Sequence, residues 1–133
     1  MIFATTLSAQ NQPNIILFIA DDVSWDDLGC YGNRDVKTPN IDRLASQGIR
    51  FDNFFLTASS CSPSRNSIIT GRYPHNTGAC ELHTEPPLEM VSFPEILKQN
   101  GYYSAHSGKF HMGKYAMRGF DVSTQGKEVG DGG

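Results

Sequence analysis

The sequence has no cluster of lysine and arginine: 11 basic residues stand against 14 acidic ones, for a net charge of −3. A nucleic-acid partner needs a basic face and is excluded on that ground, so any anion must be met by a few local groups. No apolar run approaches the ~18 residues of a membrane-spanning helix. There are only three cysteines, Cys30, Cys61 and Cys80, and no C-x-x-C spacing, which excludes a zinc ribbon. Internal repeats are absent too, and with them solenoid and propeller architectures. What is present is ordinary for a globular protein: 133 residues, 38% of them hydrophobic, with 13 glycines. That length falls in the ~100–200 residue range of one domain.

The first stretch, Met1 to Gln12, is apolar and then polar, with a small-residue Ser8-Ala9 step and no basic start. Two readings stand side by side, the tail of a secretory signal peptide and a disordered start. Under the first, the protein is periplasmic or secreted. After Pro13, residues 14–20 (NIILFIA) run without polar alternation into Asp21-Asp22. Such a run predicts a strand buried on both faces of a parallel sheet, where ligands gather at the carboxyl ends of strands. Asp21 and Asp22 stand at that end, and their carboxylates converge only if the chain turns there.

Residues 38–48 (TPNIDRLASQG) combine a cap residue, a first-turn proline, spaced apolar positions and a terminal glycine, which predicts a short amphipathic helix. A second strand is expected over 49–55 and a third over 102–107, with a helix over 93–100 between them. Pro74, Gly78, Pro86 and Pro87 break the stretch from Gly71 to Met90 into a long loop. Beyond Phe120 the chain turns Gly-rich and polar. The expected organisation is therefore a leader at 1–12, one α/β domain at 13–120 and a flexible tail at 121–133.

The stretch that organises the rest is Cys61-Ser62-Pro63-Ser64-Arg65-Asn66-Ser67-Ile68-Ile69-Thr70-Gly71. Pro63 suits the first turn of a helix and Gly71 its end, so a helix is expected from roughly Pro63 to Thr70. Its amino terminus gathers unpaired N–H groups and the positive end of the dipole, a setting for sulfate or phosphate. Arg65 lies four residues beyond Cys61, within reach of the same anion. Farther on, Lys109 and His111 are spaced i, i+2, which in extended chain places a cation and an imidazole on one side. Such a pair can neutralise an oxyanion and move a proton.

At these residues the sequence resembles the sulfatases. C-x-P-S-R followed by [L/I]-T-G is their signature, and Gly108-Lys109-Phe110-His111-Met112-Gly113 is similar to the family's G-K-W-H-L-G block. The resemblance covers about Pro13 to Phe120 and implies the amino-terminal part of an alkaline-phosphatase-like α/β/α sandwich with a mainly parallel central sheet. It implies that a maturation enzyme oxidises Cys61 to formylglycine, whose hydrated aldehyde is the nucleophile. It further implies that Asp21, Asp22 and the oxygen of modified Cys61 bind Ca²⁺, that Arg65 and Lys109 balance substrate charge, and that His111 assists proton transfer. The reaction implied is hydrolysis of sulfate esters or sulfamates. Ser59-Ser60 before the signature, with Pro74-His75 and Leu82-His83 after it, is similar to the branch that includes N-sulfoglucosamine sulfohydrolase, which points to sulfated sugars.

His75, His83, His106 and Glu81 carry weaker signals, and for His75 a loop hydrogen bond is the plainer reading. If Cys61 is consumed by oxidation, Cys30 and Cys80 remain as one possible pair, and two free thiols is the plainer reading. Two other functions compete with the sulfatase reading. A phosphatase or phosphodiesterase of the same superfamily would share the metal carboxylates, but typically has Ser or Thr as nucleophile and lacks C-x-P-S-R. A non-catalytic truncated chain would keep the motifs as relics, and is weighed because a second metal pair, a second His and a second Lys of the family lie in segments not found here.

Overall fold

A computed structural model describes residues 12–124, so all but the last residue of the expected leader and most of the expected tail lie outside the described residues. The contacts group into two compact units that divide between Arg50 and Phe51, where one domain had been expected over 13–120.

The first unit is built from two short 3₁₀ turns, Trp25–Asp27 and Gly29–Tyr31, and a helix α1 at Pro39–Gln47. The proline at the first position of α1 needs no N–H there and presets the helical φ. Thr38, expected as the side-chain cap, is used differently. Its hydroxyl accepts the Gly29 N–H at 2.9 Å and donates to the Asp42 carboxylate at 2.9 Å, binding α1 to the preceding turn. Arg50 closes the unit by donating to the Cys30 carbonyl at 2.6 Å while its guanidinium lies 5.3 Å from the Tyr31 ring centre.

The second unit holds α2 (Cys61–Thr70), a single helical turn α3 (Pro74–Thr77), α4 (Phe93–Gln99) and a parallel pair, β1 (Ala105–Ser107) with β2 (Val122–Thr124). Its core is Ile69 of α2 with Phe110, Met112, Tyr115 and Ala116, flanked by Met90, Phe93 and Phe120. Tyr115 is fully buried and donates its hydroxyl to Asn66 Oδ1 at 2.8 Å. Burial pushes the Tyr115 phenol well above its ordinary value, so it stays neutral and remains a donor. Arg118 fastens the long loop from the far side, donating to the carbonyls of Leu88 and Met90 and pairing with Glu95 at 3.3 Å.

Several expected elements differ. Residues 14–20 and 49–55 form no strand, and their apolar side chains are open: Ile16 is 91% exposed, Phe18 86% and Phe55 82%. An apolar run states a preference for burial, but a strand also needs a neighbouring strand to receive its N–H and C=O groups, and among the described residues neither run stands in a ladder. Neither of the strands expected before and after α1 is therefore formed. The third strand is real but shorter, 105–107 rather than 102–107. Its partner, β2, lies in the stretch expected to be tail, held there because Asp121 accepts the Ser104 N–H at 2.9 Å and pairs with Lys98 at 2.7 Å. With α helices around a parallel pair, the second unit is α/β. The long loop over 71–90 is interrupted by α3.

Candidate active site

The second unit brings together most of the residues that the sequence singles out. Helix α2 starts at Cys61, two positions before the expected Pro63, because the Ser64 N–H already bonds the Ser60 carbonyl at 3.0 Å. Pro63 remains in the first turn, where its missing N–H costs nothing. Cys61 is thus the first helical residue, half-buried, at the positive end of the dipole. The helix ends where Gly71 takes φ 67° and returns its N–H to the Ser67 carbonyl. A left-handed residue is needed there to close the last turn, and glycine adopts it without strain.

Arg65 is 8% exposed and donates from its guanidinium to the Lys109 backbone carbonyl at 2.8 Å. That bond fixes the loop after β1 against α2. Along this loop Phe110 and Met112 turn into the core at 8% and 5% exposure, while Lys109 is exposed and His111 half-buried. The burial alternates and leaves Lys109 and His111 the less buried of the four, although His111, at φ 45°, departs from the extended chain that the i, i+2 expectation assumed. Gly108 and Gly113, at φ 95° and 92°, bracket the segment at bends that L side chains rarely adopt. The Lys109 Nζ lies 3.9 Å from Cys61 Sγ.

Two histidines require more than the sequence offered. His83, weighed only as a weak loop signal, has its Nδ1 3.1 Å from His111 Nε2, with ring centres 5.0 Å apart. Its own N–H donates to Ser62 Oγ at 3.0 Å, one residue past Cys61. The only hint in the sequence was the Leu82-His83 dipeptide, whose reach across the loop no spacing rule gives. His106 stands behind the site on β1, its ring edge-on to Phe110 at 5.0 Å. Burial holds it below its ordinary value; a hydrogen bond involving the Lys109 backbone opposes that, and the Arg65 charge adds to it. His75 stacks on Tyr73 with ring centres 5.8 Å apart.

In the first unit the chain turns at Asp21-Asp22, with Asp22 at φ 54°, as convergence of the two carboxylates requires. Two exposed carboxylates at a turn are hard oxygen donors and fit Ca²⁺ in kind. Cys30, Cys61 and Cys80 are all free of disulfides.

The sulfatase family model matches residues 13–130. The chain belongs to the sulfatase family. It is 40% identical over 119 residues to arylsulfatase A of Homo sapiens, covering 85% of this chain and 24% of that protein. To N-acetylgalactosamine-6-sulfatase of Homo sapiens it is 41% identical over 118 residues, covering 79% and 23%. Among solved structures it is similar to BT4656 in complex with its substrate D-glucosamine-2-N,6-O-disulfate, with TM-score 0.78, 38% identity and coverage of 84% of this chain and 22% of that one. This sulfatase chain therefore spans about a quarter of the length of the relatives it matches. Its fold class is that of the alkaline-phosphatase-like sulfatases, as the resemblance in the sequence implies. Among the described residues no helix is long and apolar enough to cross a membrane.

Proposed function

We propose that the protein hydrolyses sulfate esters or sulfamates of sulfated sugars, with Cys61 as the precursor of its nucleophile. The observation that carries this reading is the joint placement of Cys61 at the start of α2, Lys109 Nζ 3.9 Å from its sulfur, and Arg65 buried beneath and bonded to the Lys109 carbonyl. A thiol beside a lysine has other uses. A thiol as the first residue of a C-x-P-S-R helix, in a chain of this family, is read as the substrate of a formylglycine maturation enzyme, which becomes a partner of the protein.

In this reading the residues divide the work by position. The amino terminus of α2 and the Lys109 ammonium offer positive potential to the sulfate oxygens, and they are in place before substrate arrives. Arg65, held by a backbone carbonyl, adds fixed charge from below and keeps Lys109 over residue 61. His111 accepts a proton from a hydroxyl on residue 61. The oxidised residue 61 supplies a hydrated aldehyde in place of a thiol, hence an oxygen nucleophile. Asp21 and Asp22 would hold Ca²⁺, which when bound supplies Lewis acidity. The sugar class rests on the names of the relatives and on the Leu82-His83 and Pro74-His75 features. A periplasmic or secreted location accompanies it.

The test is hydrolysis of a chromogenic sulfate ester and of the matching phosphate ester by the intact protein, made alongside a maturation enzyme, with Cys61→Ala as control. Sulfate turnover that vanishes in Cys61→Ala is the expected result. Phosphate turnover that survives in Cys61→Ala would replace the sulfatase reading with a phosphatase one.

A further inference from the structure

His111 enters the reaction as a proton acceptor, and the proposed function leaves open which of its nitrogens is free to accept. A neutral imidazole carries one N–H and one lone pair, so the contact between His111 Nε2 and His83 Nδ1 at 3.1 Å is made in one of two ways. Either His111 donates and keeps a lone pair on Nδ1, or His83 donates and forces the His111 proton onto Nδ1. The His111 Nδ1 is shut off from solvent and has no hydrogen-bond partner among the described residues. A buried N–H without an acceptor is rarer and costlier than a buried acceptor without a donor. The first arrangement is therefore the one that the surroundings favour.

We propose that His83 is a positioning residue for His111: its Nδ1 accepts the His111 Nε2–H and so fixes the tautomer in which His111 Nδ1 is the free base. The inference rests on the sulfatase reading for its consequence, though not for its geometry. His83 is itself anchored, since its backbone N–H donates to Ser62 Oγ at 3.0 Å in the first turn of α2. The nucleophile helix thus places His83, and His83 orients the base that serves the nucleophile. When His111 Nδ1 takes a proton, the ring becomes cationic and its Nε2–H still donates to His83, now as a charge-assisted bond. No proton leaves the pair in that step. The role is that of the acceptor which orients and tautomerises a working histidine elsewhere. Both rings sit on strained backbone, His83 at φ 65° and His111 at φ 45°, as residues held by their surroundings do.

Two measurements test this. Long-range proton–nitrogen correlation spectra of the intact protein with ¹⁵N-labelled histidine, taken where the rings are neutral, read the tautomer directly. An unprotonated Nδ1 and protonated Nε2 on His111 is expected, and the opposite pattern overturns the proposal. The second compares His83→Gly with His83→Asn, both of which tolerate positive φ. Asparagine places an acceptor oxygen close to where Nδ1 stood; glycine leaves none. In His83→Gly, kcat should fall by about 10- to 100-fold with KM little changed, and His83→Asn should recover most of the loss. Equal kcat in His83→Gly and the unsubstituted protein, or no recovery in His83→Asn, defeats the proposal. Absence of sulfate turnover in the unsubstituted protein would instead defeat the sulfatase reading, and the spectra would then decide the tautomer alone.

Discussion

The Arg65 guanidinium donates to the backbone carbonyl of Lys109 across 2.8 Å, joining the helix that carries Cys61 to the loop that carries His111. Charge and scaffold are therefore the same group. A residue that only bound substrate could be lost without moving anything; this one cannot.

Arg65→Ala should accordingly lower both stability and turnover, by an amount of about 1.5–3 kcal/mol for a lost charge-assisted bond in a buried setting. Arg72→Ala, at an exposed position just past the end of α2, should change neither appreciably. Urea midpoints and kcat/KM for the two variants check it. Similar losses at both positions would remove Arg65 from its double role.

Cys61 should be converted to formylglycine when the protein is made with an active maturation enzyme, because Pro63 and Arg65 of the signature are in place. The tryptic peptide from Phe51 to Arg65 contains the site and no other cleavage point. Mass spectrometry of that peptide decides the matter, and an unaltered thiol in a host of proven activity would count against the prediction.

Ca²⁺ should stabilise the intact protein through Asp21 and Asp22. At a hundredfold excess over Kd the gain is about 2.7 kcal/mol, which a chelator should reverse. Thermal unfolding with and without Ca²⁺ measures it. In the double variant Asp21→Asn, Asp22→Asn the Ca²⁺-dependent shift should disappear; a shift of undiminished size would place the ion elsewhere.

His106 should make stability fall in mild acid. Its value in the folded protein lies below the ordinary 6.5, chiefly through burial against Phe110 and Phe120. The unfolded chain then takes up the proton more readily than the folded one. The contribution is complete above pH 6.5 and is lost progressively as pH drops below it, levelling off under the folded value. Comparing urea midpoints from about pH 7.5 to about pH 5 should show a shallower decline in His106→Gln than in the unsubstituted protein. Identical slopes would dismiss His106 as the source.

Local chemistry was legible in the sequence wherever a few consecutive residues suffice. Pro39 with Gly48, Pro63 with Gly71 and Phe93 with Gly101 mark helices within two residues of where they form, because φ limits and missing donors act at the residue itself. The turn at Asp21-Asp22 follows from equally short-range geometry. Strands were less legible: residues 14–20 and 49–55 have the composition of buried strands and no ladder, whereas Val122–Thr124 pairs with Ala105–Ser107 from a stretch of no apparent promise. A strand is a relation between two segments, and composition describes only one of them.

The sequence by itself determined the candidate groups: a cysteine at a helix start, an arginine four residues on, a lysine and a histidine two apart. Their types and spacings are covalent facts, and the signature they form is specific enough to carry the family. Only the tertiary structure decided how they meet. That Arg65 donates to the Lys109 carbonyl, and that His83 reaches His111 across 28 positions, depends on how the loops after α2 and after β1 pack together. Contacts so distant in sequence are fixed by packing of the whole unit, and no local rule encodes them.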